Sequence, residues 1–139
     1  MSRILVLGAG MVAAPLVRTL LDRGHELTVT SLFLHEAEAL VAGHPGGRPL
    51  QLDLADEAAV GGLVDDSDLV ASLVPYTFHP MVARHCLRAK KHLITASYVA
   101  DEMAALDAEA RAADLTFLNE IGLDPGIDHM TSMSVIDRV

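Results

Sequence analysis

The sequence of 139 residues predicts a single α/β domain, residues 1–139, with a doubly wound parallel sheet. Three observations predict this class. Short apolar runs alternate with stretches of helical periodicity along the chain, the runs are nearly free of charge, and glycines stand at several of their junctions. Runs that are apolar throughout are typical of strands buried on both faces of a parallel sheet. The length fits one domain.

The predicted strands are the charge-poor runs, and there are six of them. They lie at residues 3–7, 26–31, 49–52, 68–73, 92–95 and 115–118. Because each is followed by a helix-like stretch or closes the pattern, right-handed crossovers are expected to place helices on both faces of the sheet. The predicted architecture is therefore three-layered, with helix, sheet and helix.

The predicted helices lie between these strands, at residues 11–23, 35–42, 56–64, 78–89 and 101–113. The first is expected to end at Gly24 and the second at Gly43, since glycine readily adopts the left-handed conformation that closes a helix. His79 and His85, in the fourth helix, are expected to be hydrogen-bonded core or surface residues. The segment at 44–49, His-Pro-Gly-Gly-Arg-Pro, is the clearest loop.

Composition excludes several classes of protein. An apolar content of 51% argues against disorder, and a net charge of −9 argues against nucleic acid or an acidic membrane as a partner. Cys86 is the single cysteine, so an internal disulfide is ruled out and a reducing compartment is favoured. No apolar run reaches the roughly 20 residues of a membrane span. We therefore expect a cytoplasmic protein.

A glycine-rich segment, Gly-Ala-Gly-Met-Val-Ala at residues 8–13, follows the first predicted strand and opens the first predicted helix. In that position a G-x-G-x-x-A pattern is the dinucleotide fingerprint of Rossmann-like folds. Gly8 would allow the tight turn, Gly10 would let the backbone approach a pyrophosphate, and Ala13 would let the helix pack close to the strand. The alternative is the same turn without a ligand. The complete β-α alternation around the motif favours nucleotide binding.

The end of the second predicted strand leaves the choice between NADP and NAD open. A NAD site usually carries an acid about 20 residues after the glycines, and this chain has none before Glu36. The missing acid favours NADP, yet no arginine or lysine is present to pair with a 2′-phosphate. The hydroxyls of Thr30 and Ser31 are candidate ligands for that phosphate, or else ordinary strand-end residues.

Asp53 follows the third predicted strand and allows two interpretations. Its carboxylate is placed either to accept a hydrogen bond from the amino group of adenine or to cap the helix that follows. The residues alone do not separate the two.

Three further stretches, at residues 72–80, 95–99 and 119–130, follow strands at the edge where such a sheet presents its ligand crevice. The third combines Glu120, Asp124, Asp128 and His129 with two glycines and a proline. This composition favours a polar wall beside nicotinamide and substrate. The alternative is a helix capped by Asp124 with Pro125 at its first position. Because Asp128 and His129 are adjacent and should diverge on a helix, no metal site is predicted.

Together with residues 6–16, these three stretches resemble the saccharopine dehydrogenase family of the glutamate-forming type, also called saccharopine reductase. The resemblance covers nearly the whole chain but only the first part of the family's chain. It implies an NADP-dependent oxidoreductase of lysine metabolism and amino-acid biosynthesis. The implied reaction reduces an imine, or oxidises the secondary amine, that joins a lysine-derived semialdehyde to L-glutamate. A saccharopine-like small molecule is therefore the implied substrate.

The resemblance also implies roles for individual residues of this sequence. The pyrophosphate would be held by Gly8, Gly10, Met11 and Val12. Adenine would face Asp53 and Leu54. The cofactor would lie against Val74, Pro75 and Tyr76. The crevice for nicotinamide and substrate would be lined by Ser97, Tyr98, Leu123, Asp124 and Pro125. The candidate catalytic residues are then Asp124, facing the substrate amine, and Tyr98.

The sequence departs from the family pattern in two ways. Leu32 stands just past the second predicted strand, where the family tends to carry an arginine, so NADP is expected with NAD as an alternative. The family's substrate domain has no counterpart here, so a separate substrate domain or self-association is expected. The exposed apolar residues that would serve it are Ile121, Ile127, Met130, Met133 and Val135. The alternative function is a non-catalytic nucleotide-binding or regulatory module that docks on a separate partner.

Overall fold

The structure, a computed structural model, describes residues 1–138. Within that range the strands are β1 (Arg3–Leu7), β2 (Glu26–Ser31), β3 (Gly47–Gln51), β4 (Leu69–Ser72), β5 (His92–Thr95) and β6 (Phe117–Leu118). The helices are α1 (Ala13–Asp22), α2 (Leu34–Val41), α3 (Glu57–Asp65), α4 (His79–Ala89), α5 (Asp101–Ala104), α6 (Asp107–Ala112) and α7 (Ile127–Ile136). A 3₁₀ turn at Tyr76–Phe78 leads into α4. No helix in this range is long and apolar enough to cross a membrane.

All six strands join one parallel sheet in the order β3-β2-β1-β4-β5-β6. This order confirms the predicted doubly wound, Rossmann-like class. Strand β1 lies between β2 and β4, and Leu7 at its carboxyl end is paired with Ser72 at the end of β4. The strand order reverses between β1 and β4, which is the point where sheets of this kind bind ligands.

The central strand β1 supplies both hydrophobic cores because its side chains alternate across the sheet. Leu5 and Leu7 pack into one core with residues of α3 and α4, whereas Ile4 and Val6 pack into the other with residues of α1 and α2. Each of these four side chains is buried. The sheet is therefore covered by helices on both faces, as the charge-free strands predicted.

Strand β3 begins at Gly47, two residues before the predicted start at Pro49, and so takes in residues 47 and 48 of the predicted loop. Pro49 is paired with Val29 of β2, and the carbonyl of Gly46 accepts a hydrogen bond from Leu27 N–H at 2.8 Å. β3 lies at the edge of the sheet and has one neighbouring strand. A proline is tolerated on an edge strand because its missing N–H can face away from the ladder.

Two helix predictions are corrected. Helix α1 begins at Ala13, so Met11 and Val12 belong to the turn that precedes it. The predicted helix at 101–113 is divided into α5 and α6, because Leu106 N–H bonds to the carbonyl of Met103 at 3.1 Å. That bond spans three residues, and such a tighter turn interrupts the regular α-helical ladder.

Candidate functional site

The turn after β1 is built around Gly8. Its φ of +100° lies in the left-handed region, and a Cβ added there would lie 2.9 Å from the carbonyl oxygen of Leu73. Gly8 N–H donates to Thr30 O at 3.0 Å, which fastens the turn to β2. Glycine is therefore required both by the backbone conformation and by the close approach of the chain after β4.

Gly10 leaves open space where a ligand would approach the loop. A Cβ added at Gly10 would meet nothing within 4 Å, and the side chain of Met11 is 99% exposed. Ala13 N–H donates to Gly10 O at 3.0 Å, and within residues 1–138 no acceptor bonds to the N–H groups of Gly10, Met11 and Val12. Ala13 is fully buried, as expected for close helix packing. Free amides at the start of a helix suit phosphate oxygens, so this loop fits a pyrophosphate.

The two hydroxyls at the end of β2 point to different surroundings. Thr30 is 2% exposed and its Oγ1 lies 3.4 Å from Val6 O, so this side chain is buried and offers almost no surface to a 2′-phosphate. Ser31 accepts a hydrogen bond from Phe33 N–H at 3.3 Å and donates one to Glu36 Oε2. The structure therefore corrects the prediction for Thr30, and it places an acid beside Ser31.

Asp53 does not cap the following helix. Its Oδ1 accepts from Ala55 N–H at 2.9 Å in a local turn, whereas Asp56 caps α3 by accepting from Ala59 N–H at 3.0 Å. The carboxylate of Asp53 is exposed, and Leu54 packs against the core below it. The capping interpretation of Asp53 is therefore wrong, and its role toward adenine stays a prediction.

A cavity of about 490 Å³ lies where the chain leaves β4 and β5. It brings together most of the residues predicted to face nicotinamide and substrate. Its lining comprises Val74, Pro75, Tyr76, Ala96, Ser97, Tyr98, Val99, Ala100, Asp124 and Pro125. Leu123 is outside this lining and 73% exposed, so the structure does not bring it into the cavity.

The segment after β6 is fastened to the residues that follow β5. Ile121 N–H donates to Thr95 O at 3.1 Å, and Glu120 N–H donates to Ser97 O at 3.3 Å. The Glu120 carboxylate in turn accepts from Val99 N–H at 3.1 Å. These bonds hold Asp124 over the cavity.

The capping interpretation of the same segment is wrong. Helix α7 begins at Ile127, with Gly126 at its N-cap, so Pro125 is not its first residue. The peptide bond between Asp124 and Pro125 is cis. The carboxylate of Asp124 bonds to a side chain across the cavity instead of to the backbone of α7.

That side chain is Tyr98, whose hydroxyl donates to Asp124 Oδ1 at 2.5 Å. This hydrogen bond to a carboxylate raises the pKa of Tyr98 to about 12, and the negative charges of Asp124, Asp128 and Glu120 act in the same direction. Tyr98 is therefore neutral across the physiological range. Its proton stays on the oxygen that faces Asp124.

Asp128 and His129 do not diverge as predicted. His129 Nδ1 lies 2.9 Å from Asp128 Oδ1, which also accepts from Gly126 N–H at 2.9 Å. The His129 ring packs edge-on to Tyr98 with 6.1 Å between centroids. Across residues 1–138, no three His, Cys, Asp or Glu side chains gather as a metal site would require.

His79 is a support of the cavity that sequence reasoning did not assign to the site. Its Nδ1 lies 3.0 Å from Ser72 Oγ and its Nε2 lies 2.9 Å from Ser97 Oγ. The residue is 2% exposed, and burial lowers its pKa, so the ring is neutral. The expectation of a partner-bonded core histidine is confirmed. The serines at the ends of two neighbouring strands were the signal that could have connected it to the site.

The strand order, the glycine loop and the cavity beside the switch point together define a dinucleotide-binding domain of the Rossmann class. Residues 4–118 match the family described as the saccharopine dehydrogenase NADP binding domain. The chain belongs to this family.

The relatives are much longer than this chain. It is 45% identical over 136 residues to saccharopine dehydrogenase [NADP(+), L-glutamate-forming] of Pyricularia oryzae, which covers 98% of this chain and 30% of that protein. It is 39% identical over 138 residues to the mitochondrial alpha-aminoadipic semialdehyde synthase of Bos taurus, covering 98% of this chain and 15% of that protein. The apo saccharopine dehydrogenase structure from Saccharomyces cerevisiae superposes with a TM-score of 0.89 at 39% identity, over 100% of this chain and 31% of that one.

Proposed function

We propose that this domain binds NADP(H) and serves an oxidoreductase that acts on a saccharopine-like secondary amine or the corresponding imine. One observation carries the proposal. The pair formed by Asp124 and Tyr98 lies in the same cavity as Ser97 and Val74, next to the switch point between β1 and β4. A carboxylate held at that point can face a cationic amine beside a nicotinamide ring.

The cofactor would extend from the glycine loop to the cavity. Its pyrophosphate would lie on the amides of Gly10, Met11 and Val12, with Gly8 providing the turn. Asp53 and Leu54 would face adenine, and Ser31 would lie near the ribose. When bound, the nicotinamide supplies the hydride, and the protein orients it.

Within the cavity the proposed nicotinamide contacts are Val74, Pro75, Tyr76, Ser97 and Pro125. Leu123, which is exposed beside Asp124, would contact the substrate rather than line the cavity.

Asp124 is the proposed catalytic residue, because its carboxylate would stabilise the positive charge of the substrate amine. Tyr98 would hold that carboxylate in place through its hydroxyl, which donates to Asp124 and stays protonated. Removing this hydroxyl would leave the negative charge of Asp124 in place, but its carboxylate would no longer be held in one position.

The substrate's own carboxylates require partners that the cavity lacks. Its lining residues include Asp124 but no lysine or arginine. The chain also spans about 30% of the fungal relatives it matches. We therefore infer that residues 1–139 form one dinucleotide-binding domain, and that a separate substrate-binding region supplies the cations.

The test is calorimetric titration of the folded chain with NADPH and with NADH. Saccharopine oxidation is then measured with the chain alone and with the complementing region of a relative. Binding of NADPH, and activity only in the complemented sample, support the proposal. A folded chain that binds neither nucleotide overturns it. Nucleotide binding without any complemented activity would retain the cofactor site and refute the reaction.

A further inference from the structure

The carboxylate of Glu36 is bonded to Ser31 at the end of β2, close to the glycine loop of the proposed nucleotide site. Gly8 N–H donates to Thr30 O at 3.0 Å, so the glycine loop and the end of β2 are joined directly. Ser31 is the next residue, and its hydroxyl donates to Glu36 Oε2. Glu36 comes from the first turn of α2 and is exposed.

Rossmann-like folds distinguish the two nicotinamide cofactors at this place. An acid about 20 residues beyond the glycines accepts from the ribose 2′-hydroxyl of NAD, whereas an arginine nearby accommodates the 2′-phosphate of NADP. In this chain Ser31 stands at about that distance, and the acid reaches it from five positions further along. Glu36 therefore brings a carboxylate to the end of β2, where the sequence itself carries no acid.

The same region carries no fixed positive charge to hold a phosphate. Leu32 and Phe33 connect β2 to α2, and both are about half exposed. Among the ion pairs within residues 1–138, none includes Glu36. His35 follows in the first turn of α2, and its ring packs against Phe33 at 6.0 Å between centroids.

We propose that Glu36 determines cofactor specificity in this chain. Its carboxylate accepts a hydrogen bond from a ribose 2′-hydroxyl and repels a 2′-phosphate. The chain then binds NADH about as tightly as NADPH, although its family is that of an NADP-binding domain. The role rests on the proposed binding of a dinucleotide along the glycine loop.

The test compares dissociation constants for NADPH and NADH, by calorimetry, in the wild type and in E36Q. E36Q removes the unit charge that would face the 2′-phosphate across water. The affinity for NADPH relative to NADH is therefore expected to rise by about fivefold or more. The matched control is E38Q, which removes the same charge from an exposed position on the same helix.

Support requires two results: a wild-type preference of less than about tenfold for NADPH, and a shift toward NADPH in E36Q that E38Q lacks. A larger wild-type preference, or equal ratios in E36Q and E38Q, overturns the role of Glu36 while leaving the nucleotide site intact. Absence of binding by either nucleotide to folded wild type and L32R overturns the nucleotide site itself. L32R restores a cation at the connection, and it should raise the preference for NADPH further when combined with E36Q.

Discussion

The hydroxyl of Tyr98 donates to Asp124 Oδ1 at 2.5 Å, joining the segment after β5 to the segment after β6 across the mouth of the cavity. The pair places a neutral donor against a carboxylate on the β4–β6 side of the sheet, next to the switch point between β1 and β4. It therefore holds the segment after β6 against the residues that follow β5.

The raised pKa of Tyr98 is measurable by absorbance. Tyr76 is the other tyrosine of the chain, so a Y76F background reports Tyr98 alone. The pKa of about 12 should fall toward the ordinary value of about 10 in D124N, because the accepting carboxylate and its negative charge are removed. An unchanged titration in D124N would show that the two side chains are not bonded in solution.

The division of roles between Asp124 and Tyr98 predicts different losses in a complemented, active sample. D124N should lower kcat/KM by at least about a hundredfold, within the range that positioned charged groups contribute to catalysis. Y98F should lower it less, because the charge remains and only its position is freed. The measurement is the initial rate of saccharopine oxidation with both variants shown to be folded. Equal losses in the two variants would contradict a positioning role for Tyr98.

Gly8 and Gly10 should respond differently to an added methyl group. G8A forces a left-handed backbone on alanine and places its Cβ 2.9 Å from Leu73 O, so it should lower the free energy of unfolding by about 1–3 kcal/mol. G10A has free space and should leave stability nearly unchanged, while nucleotide affinity falls at least about tenfold because the methyl fills the ligand's approach. Urea denaturation and calorimetry separate the two effects.

G62A is the control for these glycine variants. Gly62 lies inside α3, and its added Cβ meets nothing within 4 Å. Alanine there should stabilise by about 0.5–1 kcal/mol, because alanine is the better helix former. Its nucleotide affinity should equal that of the wild type. If G10A binds as well as G62A, the glycine loop does not hold the pyrophosphate.

His79 should make stability depend on pH. Burial lowers its pKa in the folded state, so the unfolded chain binds more protons below its ordinary pKa of about 6.5. Stability is then retained above that pH and lost as the pH falls from about 6.5 toward the folded pKa. H79Q should cost about 1–3 kcal/mol at pH 7.5 through the loss of its serine partners. The cost should shrink at pH 5.5.

The measurement is urea unfolding at the two pH values, with H85Q on the same helix as the control. A cost of H79Q that is the same at both values, or a matching change in H85Q, would show that His79 is not the buried neutral group.

Helix α7 should promote self-association. Its side chains at Ile127, Met130 and Met133 are all more than half exposed, as predicted from the sequence, and none of its residues is buried. Sedimentation should show a species heavier than the monomer as concentration rises, and the double variant M130E/M133E should return it to the monomer. A monomer at every concentration in the wild type would exclude the interface.

Much of the fold followed from the strands, because a charge-free run such as Ile4 to Leu7 can be buried only between two layers. The glycine loop was equally predictable, since Gly8 and Gly10 have distinct steric demands. What failed depended on contacts between distant residues. The orientation of Thr30 is set by the β1–β2 pairing, and the hydrogen-bond partner of Asp124 is a tyrosine 26 positions away.

Glu36 shows the same limit. Along the chain it stands too far from the glycines to be recognised as the proposed acid of the ribose site. It bonds to Ser31 only because the first turn of α2 brings its carboxylate back to the end of β2. Gly47 and Arg48 show another limit, because their place beside a proline indicates a loop in sequence, whereas an edge strand tolerates that proline. The break between α5 and α6 has no cause that we can identify in the sequence.

The exposure of α7 on every side has a consequence for how its sequence can change. A library selected only for folding should accept polar replacements throughout residues 127–136, because the two cores contain none of these side chains. A library selected for the oxidoreductase activity proposed above would reject them wherever the helix is covered. The difference between the two tolerance maps would outline the contact surface of this helix position by position.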